Sequence, residues 1–159
     1  MVDVHDPVTR SRNMAAVRAV NTKPEMIVRR ALHALGFRYR LHETRLPGTP
    51  DLVLRKFGAL VFVHGCFWHG HDCHLFKWPK SRPDFWRAKI AGNMENDAKS
   101  LAALRSSGWR VGIVWECALK GRARRELHET MQLLATWVRS ENDSISIGGK
   151  RDWSHHSRN

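Results

Sequence analysis

The segment HGCFWHGHDCH, residues 64–74, carries four histidines, two cysteines and two large aromatic side chains within eleven positions. Thiolates and imidazoles are typical zinc ligands, usually arranged as a tetrahedron of four. Cys66 and Cys73 lie in this segment, and Cys117 follows a second apolar run, VGIVW. If the two runs are neighbouring strands, three thiols and one imidazole converge on a metal ion; the alternative is three inert core cysteines. Spacing leaves three histidines open as the fourth ligand: His69, His71 and His74.

A second set of side chains is suited to phosphodiester hydrolysis. Asp51 begins the predicted strand DLVLRK, and the next predicted strand, ALVFVH, ends at His64. A carboxylate on one strand and a carbonyl oxygen or side chain on its neighbour can hold Mg²⁺. A nearby imidazole, from His64 or His69, can then activate water as a general base. Taken alone, Asp51 is more typical of a turn residue after PGTP.

Glu25 has two compatible interpretations. Thr22-x-x-Glu25 matches a capping box, in which the Glu25 carboxylate accepts a hydrogen bond from the Thr22 backbone amide. A carboxylate at the start of a helix can also face a metal ion, so capping does not exclude a catalytic role.

Helices and strands must position these residues. Asp6-Pro7 is typical of a helix start and predicts a basic helix within residues 1–20. Apolar spacing predicts a helix over 22–35, a long helix over 84–107 and a last helix over 122–138. Strands are predicted for RYRL, DLVLRK, ALVFVH and WRVGIVWE. This order predicts an α/β fold, in which helices flank a small mixed sheet. We expect a single domain over residues 1–139, and disorder in the polar, Gly/Ser-rich tail, residues 140–159.

The composition indicates an anionic partner. The chain has 159 residues, a net charge of +12 and a pI of about 10.6. Such an excess favours nucleic acid, although a merely solvated basic surface is the alternative. The odd number of cysteines argues against a disulfide framework. We expect no secretory signal, no membrane contact and a cytoplasmic location, because no apolar run approaches the roughly 18 residues of a membrane span.

Six unusual segments occur together in the chain, in the order RSRNM, NTKPE, LPGTPD, VFVHGCFWH, DFWRAKIAGNMEND and GWRVGIVWECALKG. This combination resembles the very short patch repair (Vsr) DNA mismatch endonucleases. The resemblance implies a restriction-endonuclease-like core with a structural zinc site. It also implies Mg²⁺-dependent nicking 5′ of the thymine in a T:G mismatch, the product of 5-methylcytosine deamination. The expected partner is mismatched double-stranded DNA in the nucleoid, with other mismatch-repair proteins as further candidates. A monomer is expected.

The resemblance also implies roles for individual residues. Asp51 and the backbone carbonyl of Val63 match the Mg²⁺ ligands, and His69 matches the general base. Accessory active-site positions match His64, Glu25 and Asp97. The zinc ligands match Cys66, His71, Cys73 and Cys117, which selects His71 among the three candidate histidines.

Contacts with DNA are expected from aromatic side chains. The resemblance makes Phe67, Trp68 and Trp86 a wedge that inserts beside the mismatch, although Trp86 alone could simply pack in the core against Ile90. Met14 and the arginines of the first predicted helix are candidates for contacting the other groove. Two other functions fit the same motifs. One is a restriction-fold nuclease with another DNA target, and the other is a zinc module that binds DNA without cleaving it.

Overall fold

A computed structural model describes residues 20–150 of the chain. Within this range the helices are α1 (Lys23–Ala34), α2 (Pro83–Ser106) and α3 (Leu127–Arg139). The strands are β1 (Arg40–Leu41), β2 (Leu52–Leu54), β3 (Ala59–His64), β4 (Arg110–Trp115) and β5 (Ser144–Ile147). No helix in residues 20–150 is both long and apolar enough to cross a membrane. The predicted N-terminal helix with Met14, and residues 151–159, lie outside the described range.

The five strands of the described range form one mixed sheet in the order β1-β2-β3-β4-β5. The β1–β2 and β2–β3 pairs are antiparallel, whereas β3–β4 and β4–β5 are parallel. Parallel neighbours need a long crossover, and α2 and α3 supply the two crossovers. In the β3–β4 pair His64 lies opposite Trp115. The predicted α/β architecture with a small mixed sheet is confirmed.

Helices cover both faces of the sheet. Successive side chains of a strand point to opposite faces, and β3 is apolar in both directions. Val61 packs with Leu32 of α1 and Leu134 of α3 in one core cluster. Leu60, its neighbour in sequence, packs with Leu104 of α2 in a second cluster. ALVFVH, predicted as a strand, is therefore the central strand of the sheet and is covered on both faces.

The C-terminal segment differs from the prediction. We expected disorder from residue 140 onwards, but Ser144–Ile147 forms β5 at the edge of the sheet. Its two isoleucines alternate with serines, and Ile147 is buried. The Trp115 indole N–H donates a hydrogen bond to the Ser146 hydroxyl at 2.9 Å. The folded domain therefore continues past residue 139, because this short alternating segment pairs with a strand already held in the core.

The helix predicted from residue 122 begins later, at Leu127. The preceding turn is held by long-range hydrogen bonds. Arg125 Nε donates to the Gly148 carbonyl at 2.7 Å, and the Lys150 backbone N–H donates to the Ala123 carbonyl at 2.6 Å. These contacts tie the turn to the segment that follows β5, so tertiary hydrogen bonds override the local helix propensity.

Alanine substitutions at two glycines should change the stability of the fold in opposite directions. A methyl group at Gly112 of β4 would lie 2.8 Å from the Trp137 ring and 3.1 Å from Ile145. We therefore expect Gly112→Ala to lower the free energy of unfolding by about 1–3 kcal/mol through overpacking. A methyl group at Gly92, inside α2, meets no atom within 4 Å, so Gly92→Ala should raise that free energy by about 0.5–1 kcal/mol. Urea unfolding of both variants checks this; equal effects would contradict the packing at β4.

Candidate active site and metal centre

Four metal-ligating side chains converge beyond the carboxyl ends of β3 and β4. Cys66 follows β3, His71 and Cys73 lie in the loop after it, and Cys117 lies in the short 3₁₀ turn that follows β4. One ligand atom from each of the four lies within 4.8 Å of the others. The expected convergence is confirmed, and the cluster could hold a metal ion.

His71 is the histidine that belongs to this cluster. Its Nδ1 lies 3.5 Å from Cys117 Sγ. His69 Nδ1 instead lies 2.6 Å from Asp97 Oδ2. His74 Nε2 is buried without a hydrogen-bond partner in the described range. Spacing had left these three histidines equivalent, and the folded loop agrees with the family resemblance, which selected His71.

The thiols of the cluster differ in their preference for the anionic form. Cys66 Sγ accepts a hydrogen bond from the Cys117 backbone N–H at 3.3 Å, and Cys117 Sγ accepts one from the Gly149 N–H at 3.2 Å. The contact with Cys66, followed by that with His71, lowers the pKa of the Cys117 thiol to about 4. The contact with Cys117 and burial raise the pKa of Cys66. Cys117 is therefore the thiol most readily present as a thiolate, the form that binds metals.

A cleft of about 690 Å³ lies between the start of α1 and the metal-ligating loop. It brings together most of the side chains that the sequence singled out. They are Glu25, Asp51, His64, Phe67, Trp68 and His69. Asp97 reaches this set through its contact with His69, and Trp86 through its contact with Phe67.

Asp51 lies immediately before β2, and its carboxylate is bonded to β3. The Val63 backbone N–H donates a hydrogen bond to Asp51 Oδ2 at 2.7 Å. Burial raises the pKa of the Asp51 carboxyl to about 7; the hydrogen bond from Val63 opposes this shift and the charge of Glu25 adds to it. A cation at this position would stabilise the ionised carboxylate.

Glu25 is buried in the first turn of α1. Thr22 caps the helix as predicted, because its Oγ1 accepts a hydrogen bond from the Glu25 N–H at 3.3 Å. The other half of the capping-box prediction is wrong: the Glu25 carboxylate accepts from the Asn21 N–H, at 3.2 Å. Arg29 Nη1 lies 3.2 Å from the second carboxylate oxygen. Arg29 and His42, the latter described in the next paragraph, hold the Glu25 carboxylate away from the Thr22 amide.

Sequence reasoning missed His42. Its Nε2 lies 3.0 and 2.9 Å from the two Glu25 oxygens. Its backbone N–H donates to the Asp51 carbonyl at 3.1 Å. Ligand atoms of Glu25, His42 and Asp51 all lie within 4.8 Å of one another. No sequence motif identifies His42. The one indication in the sequence was its position directly after the predicted strand RYRL. The antiparallel pairing of β1 with β2 brings this position next to Asp51.

His69 and Asp97 form a hydrogen-bonded pair, with 2.6 Å between Nδ1 and Oδ2. The His64 ring stacks on the His69 ring, with centroids 3.7 Å apart. Burial lowers the pKa of His64 to about 3, and the charge of His69 adds to this shift. His64 is therefore neutral near pH 7. An imidazole that is oriented by a carboxylate and stacked on a neutral ring can accept a proton through its free nitrogen.

The three predicted wedge aromatics contact one another. Ring centroids of Phe67 lie 5.1 Å from Trp68 and 5.4 Å from Trp86, and those of Trp68 and Trp86 are 5.9 Å apart. The Asn93 side-chain amide donates a hydrogen bond to the Trp68 carbonyl at 2.9 Å, which ties the loop to α2. Trp86 thus contacts both of the other predicted wedge residues, which themselves line the cleft.

Trp115, the last residue of β4, contacts both the metal cluster and the stacked pair of His64 and His69. Its indole stacks on the His71 ring at 4.1 Å, with 10° between the planes. It also packs edge-on against His64 at 5.2 Å. The β3–β4 register, in which Trp115 lies opposite His64, places the indole between the two sites.

Comparison with known proteins identifies the family. The family model for the DNA mismatch endonuclease Vsr matches residues 2–75. The DNA mismatch endonuclease Vsr of Escherichia coli strain K12 is 42% identical over 147 residues, which cover 92% of this chain and 94% of that protein. The type II nicking enzyme V.XorIIP of Xanthomonas oryzae pv. oryzae is 50% identical over 119 residues, 75% of this chain and 88% of that protein. The type II nicking enzyme V.NmeAIP of Neisseria meningitidis serogroup A is 46% identical over 123 residues, 77% of this chain and 88% of that protein. With such identity along most of its length, the chain belongs to the Vsr family of DNA mismatch endonucleases.

Proposed function

We propose that this protein is a Mg²⁺-dependent endonuclease that nicks DNA 5′ of the thymine in a T:G mismatch. It would thereby start very short patch repair of deaminated 5-methylcytosine. The observation that carries the proposal is a single cleft holding Asp51, the His69–Asp97 pair and the aromatic side chains Phe67 and Trp68. The similarity to a DNA mismatch endonuclease and to a type II nicking enzyme supports the same activity. We further propose that the sheet and its helices form a restriction-endonuclease-like core.

The Mg²⁺ ion would be held by the Asp51 carboxylate and the Val63 backbone carbonyl. The residues fit this role because Asp51 is desolvated and lies near the Glu25 carboxylate, so the site concentrates negative charge. Hard oxygen ligands are also those that Mg²⁺ prefers. When bound, Mg²⁺ would polarise the phosphodiester and stabilise the leaving oxygen. Glu25 would remain in place through its hydrogen bonds with Asn21 and His42.

His69 would act as the general base. With Nδ1 directed to Asp97, Nε2 is the nitrogen available to take a proton from the attacking water. Asp97 orients the ring and stabilises its protonated form. His64 stays neutral and packs against His69, so it holds the ring without adding a competing positive charge.

The Cys/His cluster would hold a structural zinc ion. Three thiols and one imidazole match a closed tetrahedral zinc set. Such a site leaves no position for water, so we assign it to folding rather than to the reaction. It would fasten the loop after β3 to the end of β4 and thereby present His69, Phe67 and Trp68 to the cleft.

The aromatic group would open the mismatch. Stacking of a base on an aromatic side chain contributes about 1–3 kcal/mol, whereas unstacking costs a few kcal/mol and least at a mispair. Phe67, Trp68 and Trp86 could therefore separate a T:G pair more easily than a matched pair. The net charge of +12 favours binding of the DNA backbone. We infer that the protein acts as a monomer, because an asymmetric T:G site needs no symmetric dimer. We further propose that it acts on nucleoid DNA in the cytoplasm.

Strand-specific nicking tests the proposal. With Mg²⁺ the protein should cut a T:G duplex in a cytosine-methylation context 5′ of the thymine, and should leave the C:G parent and a scrambled-context T:G duplex intact. Asp51→Ala should lower the nicking rate by at least about 10²–10³-fold through loss of the metal ligand. The exposed Asp143→Ala is the matched control and should retain full activity.

The same assay separates the alternatives. Equal cutting of all three duplexes would keep the nuclease and discard the repair function. Binding without cutting by the wild-type protein would favour a non-catalytic DNA-binding module.

The zinc proposal predicts about one zinc ion per chain by elemental analysis. Cys73→Ala should lose the zinc and lower the melting temperature, because the loop after β3 is then no longer fastened to β4. His74→Ala changes a histidine one residue away and should retain the metal, since His71 is the histidine in the cluster. Zinc loss on changing His74 but not His71 would contradict the assignment.

Asp51 predicts an unusual dependence of stability on pH when Mg²⁺ is absent. Its pKa is about 7 in the folded protein and 3.8 in the reference state, so the folded form binds the extra proton between these values. Stability should therefore fall as pH rises from 4 to 7. Asp51→Asn removes this loss and should be more stable than the wild type at pH 8 by about 4 kcal/mol. Adding Mg²⁺ should reduce this difference in stability between the two proteins. Chemical unfolding of both proteins at pH 5 and pH 8 measures their free energies of unfolding. A difference between wild type and Asp51→Asn that is the same at both pH values would contradict the prediction.

A further inference from the structure

The loop between the metal-ligating residues and α2, together with the first turn of α2, carries exposed side chains that the proposed nicking site does not use. Trp78 is 51% exposed and Phe85 is 44% exposed. Residues 77–89 contain five basic residues and a single acidic one, Asp84. We name as the outer aromatic surface the exposed residues Lys77, Trp78, Lys80, Arg82 and Phe85.

The outer aromatic surface is continuous with the aromatic group at the cleft. Phe76 stacks on Phe67 with 5.8 Å between ring centroids, and Trp78 packs edge-on against Phe76 at 4.8 Å. On the other side, Phe85 packs edge-on against Trp86 at 5.1 Å. Each exposed ring thus extends a chain of ring contacts that begins at a proposed wedge residue.

The basic side chains of this surface are placed beside its rings. The Arg82 guanidinium lies over the Phe85 ring, 4.1 Å from its centroid. Arg82 has a φ of 54°, a left-handed conformation that arginine seldom adopts, and Pro83 follows it at the start of α2. A guanidinium stacked on a ring keeps its N–H edge available for a phosphate. Lys77 and Lys80 flank the exposed Trp78 on the same loop.

We propose that the outer aromatic surface is a second DNA-binding surface, which holds the strand flanking the mismatch. Trp78 would stack on a base or deoxyribose exposed where the wedge opens the duplex, while Lys77, Lys80 and Arg82 bind the adjoining phosphates. Basic side chains interleaved with aromatic rings are the arrangement that binds unstacked nucleic-acid strands. This proposal rests on the proposed function in taking mismatched DNA as the substrate. The charge of the surface selects DNA over an apolar protein partner or a second copy of this basic chain.

Binding to T:G duplexes of different lengths tests the proposal. Fluorescence anisotropy without Mg²⁺ would compare a duplex with two long arms and two duplexes with one arm or the other shortened. Trp78→Ala should weaken binding to the long duplex about tenfold, whereas Trp78→Phe should bind nearly as the wild type does. Shortening the arm that contacts the outer aromatic surface should weaken DNA binding by the wild type, whereas shortening the other arm should not. Neither shortening should further weaken DNA binding by Trp78→Ala. Lys77→Ala with Lys80→Ala should reduce the salt dependence by about one unit of slope per lost phosphate contact.

Two variants serve as controls for surface changes elsewhere. Leu133→Ala removes an apolar side chain on α3 that is 41% exposed. Lys56→Ala removes an exposed lysine before β3, at the opposite end of that strand from the cleft. Neither should alter binding, and all variants should keep their zinc and melting temperature.

Each result has a defined meaning. Wild-type affinity of Trp78→Ala for all three duplexes would overturn the second surface. An equal loss for every duplex, shared by Trp78→Phe, would also overturn it. If the wild type binds with the predicted arm dependence but nicks nothing with Mg²⁺, the proposed function fails while the second surface stands.

Discussion

The parallel, in-register pairing of β3 with β4 is the constraint on which the rest of the site depends. Because both strands run in the same direction, their carboxyl ends meet at one edge, where His64 lies opposite Trp115. Cys66 and Cys117 follow those two residues and so meet as well. A slip of one residue would turn every side chain of a strand to the other face. The crossover helix α2, which connects β3 to β4, also places Asp97 beside His69. The pairing of β3 with β4 therefore positions both the metal cluster and the stacked rings of His64 and His69.

The chain is basic as a whole, but its cleft holds two carboxyl groups, of which Glu25 is buried and Asp51 is partly buried. The chain as a whole carries a charge of +12, yet Glu25 and Asp51 lie close together in the cleft. The Glu25 carboxylate is hydrogen-bonded to the side chains of Arg29 and His42. Within the described residues the carboxylate of neighbouring Asp51 accepts one backbone hydrogen bond, from the Val63 N–H, and its pKa is raised to about 7. The two carboxyl groups therefore differ in role: Glu25 is held by protein groups, and Asp51 is suited to a cation.

The loop after β3 combines two tasks within a few residues. Its cysteines and His71 face the metal cluster, while Phe67, Trp68 and His69 line the cleft. Trp115 stacks on His71 and packs against His64. A displacement of the metal cluster would therefore also displace the stacked rings of His64 and His69. The segment after β5 completes this arrangement, since the Gly149 N–H donates to Cys117 Sγ.

The sequence by itself determined the central strands, the long helix and the residue types of both sites, because these depend on local patterns. An apolar run such as ALVFVH has few alternatives to a buried strand, and the Cys/His segment has few alternatives to a metal site. Local spacing could not decide which histidine joins the cysteines, because His69, His71 and His74 are equivalent in spacing and differ only in their partners in the fold. The family resemblance selected His71, and the tertiary structure places His71 with the cysteines. It also decided the roles of His42 and β5. His42 meets Glu25 through strand pairing, and SISI becomes a strand because β4 offers it a free edge. Contacts between residues far apart in sequence leave no local signal, so these features could not be predicted from local pattern alone.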